Sequence, residues 1–179
     1  MTELLPAWRS GVLTPVEKLA VHQLGLRHKA VSVFVVSGTQ LLLQQRAAVK
    51  YHTPGLWANA CCTHPRWDED PKACAVRRLR EELGITGLAP RFRQQVEYRA
   101  DVGGGLIEHE VVDLFVAEVK TPETVAVNPN PAEVAAFRWI ELTALRQAIA
   151  EEPEHYTPWL RIYLDRHGAE IFDETSCPA

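Results

Sequence analysis

A chain of 179 residues has the length of one domain, enough to bury roughly two thirds of the surface its unfolded form exposes without help from disulfides. Its 46% hydrophobic and 23% charged residues and mean hydropathy of −0.14 are soluble globular values, and no apolar run approaches the about 18 residues needed to span a bilayer, which excludes membrane insertion. A net charge of −4 and a pI of about 6.0 exclude general nucleic-acid binding, which needs a basic footprint.

At the N-terminus Pro6, Arg9 and Ser10 interrupt any basic-then-apolar leader, so the expected location is the cytoplasm and the four cysteines are expected to be thiols. The β-branched run Ala30 to Val36 predicts a strand, and Ser37-Gly38-Thr39 turns it toward Leu41 to Gln45 as a hairpin. Asn59-Ala60-Cys61-Cys62-Thr63-His64-Pro65 then precedes a helix that Asp70 caps, Pro71 opens and Gly84 ends after Leu83. Ala75, Val76, Leu79 and Leu83 are expected to form its core face, with Glu82 at the edge of that stripe and Glu81 nearly opposite.

Ile107 to Val119 predicts a long strand, in which alternation puts Glu108, Glu110, Val112, Leu114 and Val116 on one face and His109 on the other. Two buried carboxylates beside three aliphatics require a cation, a proton or a cavity on that face. Gly103-Gly104-Gly105 lacks a following Lys-Ser/Thr and reads as a hairpin turn or lid rather than a phosphate loop. The stretch from Thr121 to Pro131 reads as a surface connection and Trp139-Ile140 as a short strand. Thr143 to Ala150 and Pro158 to His167 read as helices, with Thr157 and Gly168 as caps. No internal repeat is present. Taken singly, Cys62 reads as a packing cysteine and each histidine as a surface or satisfied core residue. Cys61, Cys74, Cys177, His52, His109, His155 and His167 keep that reading.

Glu69, Arg77, Leu79, Glu81, Glu82, Gly84 and Ile85 fall at the spacing of the Nudix box, and the segment resembles it with Thr63 in place of its glycine and Arg78 in place of its first glutamate. With Trp57 to Pro65, the Glu108-His109-Glu110 strand, Glu17 to His22, Arg27-His28, Arg46 to Lys50, Tyr98-Arg99-Ala100 and Tyr156 to Trp159, the chain from about Lys18 to Trp159 resembles the type I isopentenyl-diphosphate Δ-isomerases of the Nudix superfamily. Two local departures stand out: His22 and His28 are six apart where seven is expected, and Cys-Thr-His replaces Cys-Gly-His, placing Thr63 where it would narrow the pocket beside the thiol.

The resemblance implies an α/β fold, a Nudix-like mixed β-sheet packed between helices. It implies a single domain over 1–179, with 1–15 and 173–179 peripheral. It implies Cys62 and Glu110 as catalytic proton carriers, with the Tyr98 hydroxyl beside them, and His22, His28, His64, Glu108 and Glu110 as ligands of one divalent metal, Mn2+, Zn2+ or Mg2+. Glu82 would help hold a Mg2+ that touches the substrate diphosphate. Lys18, Arg46, Lys50 and Arg78 would neutralise the diphosphate, and Trp159 would place its π face against a carbocation. The expected partner is a small isoprenoid diphosphate, with neither nucleic acid nor membrane, and the expected state is a monomer. Two readings compete: a Nudix hydrolase of an organic diphosphate, and a non-catalytic metal-stabilised binding module.

Overall fold

The computed structural model describes residues 3–172. In chain order the elements are β1 (Leu4–Arg9), β2 (Val12–Glu17), α1 (Lys18–Leu24), β3 (His28–Ser37), β4 (Gln40–Arg46), β5 (Trp57–Asn59), β6 (Cys61–Thr63), α2 (Pro71–Leu83), β7 (Arg91–Asp101), β8 (Ile107–Glu118), β9 (Val134–Glu141), α3 (Leu142–Glu151), α4 (Pro158–Arg166) and α5 (Gly168–Phe172). Short 3-10 turns lie at Pro122–Thr124 and Pro153–His155.

The strand β3 is almost wholly buried because both its faces are covered, which is why its sequence is a continuous apolar run rather than an alternating one. It pairs parallel with β8 from His28↔Glu110 to Val36↔Glu118. On its other side it pairs antiparallel with β6 through Ser32↔Cys62, and at its end it turns into β4. The strand β7 extends the sheet beyond β8, with Tyr98 opposite Glu110, and β9 pairs with β4. One face packs on α2 through Val31, Val33, Cys61, Cys74, Ala75, Leu79 and Leu83. The opposite face packs on α3 and α4 through Phe34, Val112, Leu114, Leu145, Leu160 and Tyr163. Among the described residues no helix is long and apolar enough to cross a membrane.

Facing strand residues share a side of the sheet, and side chains alternate along each strand. His28, Ser32, Cys62, Tyr98, Glu108 and Glu110 therefore emerge on one face and Cys61 on the other.

The helix α2 begins where expected: the Asp70 side chain accepts from the Ala73 backbone N–H at 3.0 Å, and Pro71 follows. Gly84 ends it at φ +65°, and a Cβ there would lie 2.5 Å from the Asn128 carbonyl oxygen. The core face differs from the expected one: Val76 is 43% exposed, and the buried arc instead takes in Cys74 and Glu82. Those two side chains have polar partners beneath the sheet, the His64 carbonyl for Cys74 and Gln44 and Cys61 for Glu82, which set the rotation of the helix.

Other expectations also change. The Trp139-Ile140 strand runs through all of Val134–Glu141, because β4 offers it a full-length antiparallel partner. Gly168 opens a short helix; α4 ends at Arg166 with His167 as its cap. Within the stretch 1–15 expected to be peripheral, the described residues from Leu4 to Pro15 belong to an edge hairpin whose Leu5 and Ala7 are fully buried, with Ala7 bridged to His28. Gly103 to Gly105 form the β7–β8 hairpin turn, closed by the Leu106 N–H to the Gly103 carbonyl. Residues 173–179, with Cys177, lie outside the described residues.

Candidate active site

The helix α1 is short, and its start is fixed by Glu17, whose carboxylate accepts from the Leu19 and Ala20 backbone N–H groups. His22 lies one turn in and donates Nδ1–H to the Lys18 carbonyl at 2.6 Å. Gly25 ends the helix at φ +58°, and the chain re-enters the sheet so that His28 donates Nδ1–H to the Leu26 carbonyl at 2.7 Å. With both Nδ1–H groups committed to carbonyls, Nε2 is the nitrogen each ring turns inward, the atom a metal ion would take in exchange for any proton there.

His64 follows β6, and its Nε2 faces that of His28 at 3.2 Å. Glu108 points Oε2 at His22 (3.2 Å) and at His28 (3.5 Å). Glu110 places Oε1 3.0 Å from His64 and 3.7 Å from His28, while its Oε2 accepts from the Tyr98 hydroxyl at 2.7 Å. Donor atoms of His22, His28, His64 and Glu108 all lie within 4.8 Å of one another, and all four residues are buried. Glu110 stands at the side of this group rather than inside it. His22 Nε2 and Glu108 Oε2 are buried with no hydrogen-bond partner, a costly arrangement that a cation shared between them relieves. The donor set fits a divalent ion.

The charge pattern follows from burial against pairing. Burial opposes the charge on Glu108, but the imidazoles of His22 and His28 hold its carboxyl well below the usual range. Glu110 is pushed up by burial and by Glu108, yet His28 and His64 outweigh both and keep it low. His28 is raised to about 10, because the two carboxylates overcome its burial. Burial lowers His64 to about 4. On Cys62, burial and the charges of Glu110 and Glu108 all act in the same direction and push the thiol well up. Cys62 is therefore a neutral S–H, able to carry a proton and poorly suited to be a thiolate nucleophile.

A cavity of about 30 Å³ is bordered by Cys62, His64, Glu108, Glu110, Trp159 and the four cations Lys18, Arg46, Lys50 and Arg78. Lys18, Lys50 and Tyr51 also border an outer cleft of about 470 Å³. Each cation already has partners: Lys18 has Glu3, Lys50 has Glu133, and Arg78 has Glu81, Glu82 and Glu133. Arg46 donates to the His52 carbonyl and lies 5.3 Å from the centre of the Trp159 ring. Thr63 borders the cavity, but its register partner is Val31, so its side chain leaves the thiol's face for the α2 side.

Glu82 is not brought to the histidine cluster. Its Oε1 accepts two bonds from Arg78 (3.0 and 2.7 Å) and one from the Cys61 thiol (3.3 Å), and its Oε2 accepts from Gln44 at 2.7 Å. His52 is the residue that reading the sequence missed. It is buried against the cluster with Nε2 3.3 Å from Glu108 Oε1, although nothing in the loop between β4 and β5 is periodic enough to point it inward. Its place two residues after Lys50 was the one available signal.

A family model described as the NUDIX domain matches residues 26–160. The isopentenyl-diphosphate Delta-isomerase of Dinoroseobacter shibae is 64% identical over 172 residues, spanning 96% of this chain and 97% of that protein. Its namesake from Rhodobacter capsulatus is 58% identical over 170 residues, 95% of this chain and 96% of that one. Among solved structures, a Deinococcus radiodurans protein superposes with a TM-score of 0.72 at 15% identity, covering 92% of this chain and 98% of its own. A MutT NUDIX hydrolase from Burkholderia pseudomallei gives 0.60 at 22% identity, covering 79% and 98%. At such identities these two bear on the fold alone.

Proposed function

From the premise that the chain belongs to the isopentenyl-diphosphate Delta-isomerases, built on the NUDIX domain, we propose that Cys62 and Glu110 carry the two protons of an isopentenyl to dimethylallyl diphosphate interconversion. The chain is an isomerase of isoprenoid biosynthesis. The carrying observation is that a neutral half-buried thiol, a carboxylate holding a tyrosine hydroxyl, and His64 and Glu108 of the metal-type cluster border one cavity together with four cations.

Moving the double bond requires a proton added at one carbon and one removed from another, through a cation that water would capture. Cys62 on β6 and Glu110 on β8 stand on strands either side of β3, so one substrate between them meets a proton carrier at each end. Tyr98, which burial and Glu110 hold in its protonated form, keeps its own proton and donates a hydrogen bond that orients the Glu110 carboxylate. The buried aromatic and aliphatic wall formed by α4 excludes water, and Trp159 lies in that wall, 2% exposed.

His22, His28, His64 and Glu108 are the proposed ligands of the divalent metal, with Glu110, beside them against His64, as the fifth; a bound ion would orient Glu110 and adjust its acidity. Lys18, Arg46, Lys50 and Arg78 are the proposed diphosphate contacts. Arg78 changes partner in this scheme: it now neutralises Glu81 and Glu82, and a diphosphate competes for its guanidinium, freeing Glu82 for the proposed Mg2+. The proposed state is a monomer, and the free thiols Cys61, Cys62 and Cys74 suit the proposed reducing cytoplasm.

Incubation with isopentenyl diphosphate should yield the allylic isomer and no inorganic phosphate. Phosphate release without isomer would select the hydrolase reading instead.

A further inference from the structure

The loop joining β4 to β5 turns His52 inward at unusual conformational cost. Thr53, a β-branched residue, adopts φ +46°, a backbone region such residues rarely enter. The loop is tied down on either side of that strain. The His52 carbonyl accepts from Arg46 Nη2 at 3.2 Å, and the Thr53 hydroxyl lies 3.2 Å from His52 Nδ1. A hydroxyl donating to Nδ1 leaves the proton on Nε2, which lies 3.3 Å from Glu108 Oε1.

The two oxygens of Glu108 are thereby divided. Oε2 faces His22 and His28 within the group of donors suited to one ion, and Oε1 faces His52. His52 is not itself in that group, whose mutually close donors are His22, His28, His64 and Glu108. Its ring stacks on His22 with centroids 5.7 Å apart and meets Tyr51 edge-on at 4.4 Å, so it has little freedom to swing away.

We propose that His52 is a positioning residue of the metal centre: through Nε2 it holds the outer oxygen of Glu108, so that the other oxygen stays aimed at the ion. A ligating carboxylate held in this way loses less side-chain freedom on binding, and groups of this kind change metal affinity by about 10- to 100-fold. The inference rests on the metal-centre reading above.

The test is titration of the metal-free, full-length protein with Mn2+ alone, following free Mn2+ by its electron paramagnetic resonance signal, with thermal unfolding of each apo protein in parallel. Wild type should bind one tight equivalent. His52→Ala should bind about 10- to 100-fold more weakly at an apo melting temperature close to wild type. His52→Gln, whose amide N–H reaches the same oxygen, should recover most of the loss, a rescue that a merely space-filling role would not give. Unchanged Mn2+ affinity in His52→Ala, or no recovery in His52→Gln, would overturn the proposal. So would a crystal structure of the Mn2+-loaded protein with His52 Nε2 bonded directly to the ion. If wild type binds no Mn2+, the metal-centre reading falls, and the proposal with it.

Discussion

Replacing Tyr98 by phenylalanine removes one oxygen and tests the proton pair directly. The Tyr98 hydroxyl donates to Glu110 Oε2 at 2.7 Å, both residues are buried, and no other hydrogen bond to that oxygen is present among the described residues. A hydrogen bond to a charged buried group contributes about 1.5–3 kcal/mol, and removing its donor leaves the carboxylate with one side unsolvated. For a protein of this size each kcal/mol moves the melting temperature by roughly 2–4 °C, so Tyr98→Phe should melt about 3–12 °C below wild type. Loss of the hydrogen bond that orients the proton-carrying carboxylate should lower turnover by about 10²-fold. The assay is isomer formation from isopentenyl diphosphate at saturating divalent metal, with calorimetry on the same samples. Full turnover together with a melting temperature within about 1 °C of wild type would refute the assignment of the hydroxyl to Glu110.

Cys62→Ala deletes the neutral thiol from the cavity wall; turnover should fall by at least about 10²-fold while stability changes by less than about 1.5 kcal/mol, as read by kinetics and urea unfolding. Gly84→Ala places a Cβ against the Asn128 carbonyl in a left-handed backbone conformation, which alone costs about 1–2 kcal/mol, and urea unfolding should show at least that loss. Glu69 is held below the usual carboxylate range first by its bond from Arg77. Because its folded value lies below the unfolded value of about 4.3, its stabilisation is present above that pH and is lost as pH falls through the folded value. Glu69→Gln should therefore cost about 1 kcal/mol at pH 7, solvent screening limiting the effect, and the gap from wild type should close below about pH 4 in acid-unfolding curves.

The sites that follow from short-range rules were legible in the sequence. Asp70, Pro71 and Gly84 bound α2 as capping chemistry dictates, since each acts on backbone groups within four residues of itself. The opposite faces of Cys61 and Cys62, and of His109 and Glu110, follow from the two-residue repeat of a strand. The motif spacing pointed to Cys62, His64, Arg78, Glu108 and Glu110, which the fold gathers around one cavity, while Glu82 stays apart and His52 joins it unannounced. What lay beyond reach depends on partners distant in sequence. Val76 looked apolar and core-facing, but the rotation of α2 is set by bonds from Gln44 and Cys61 to Glu82, which no helical period encodes.

The sequence by itself determined the local elements, the alternation of side chains along them and the family resemblance that singles out Cys62, Tyr98, Glu110 and three histidines for the proposed chemistry. Only the tertiary structure decided that β6 and β8 flank β3, so that a thiol and a carboxylate 48 residues apart face the same cavity. It alone paired Arg78 with Glu133 and seated the first strand hairpin in the sheet. It alone turned His52 toward Glu108. The physical reason is common to all four: hydrogen-bond and charge satisfaction in a buried site is settled among groups brought together from separate segments, while periodicity and capping act only within a few residues.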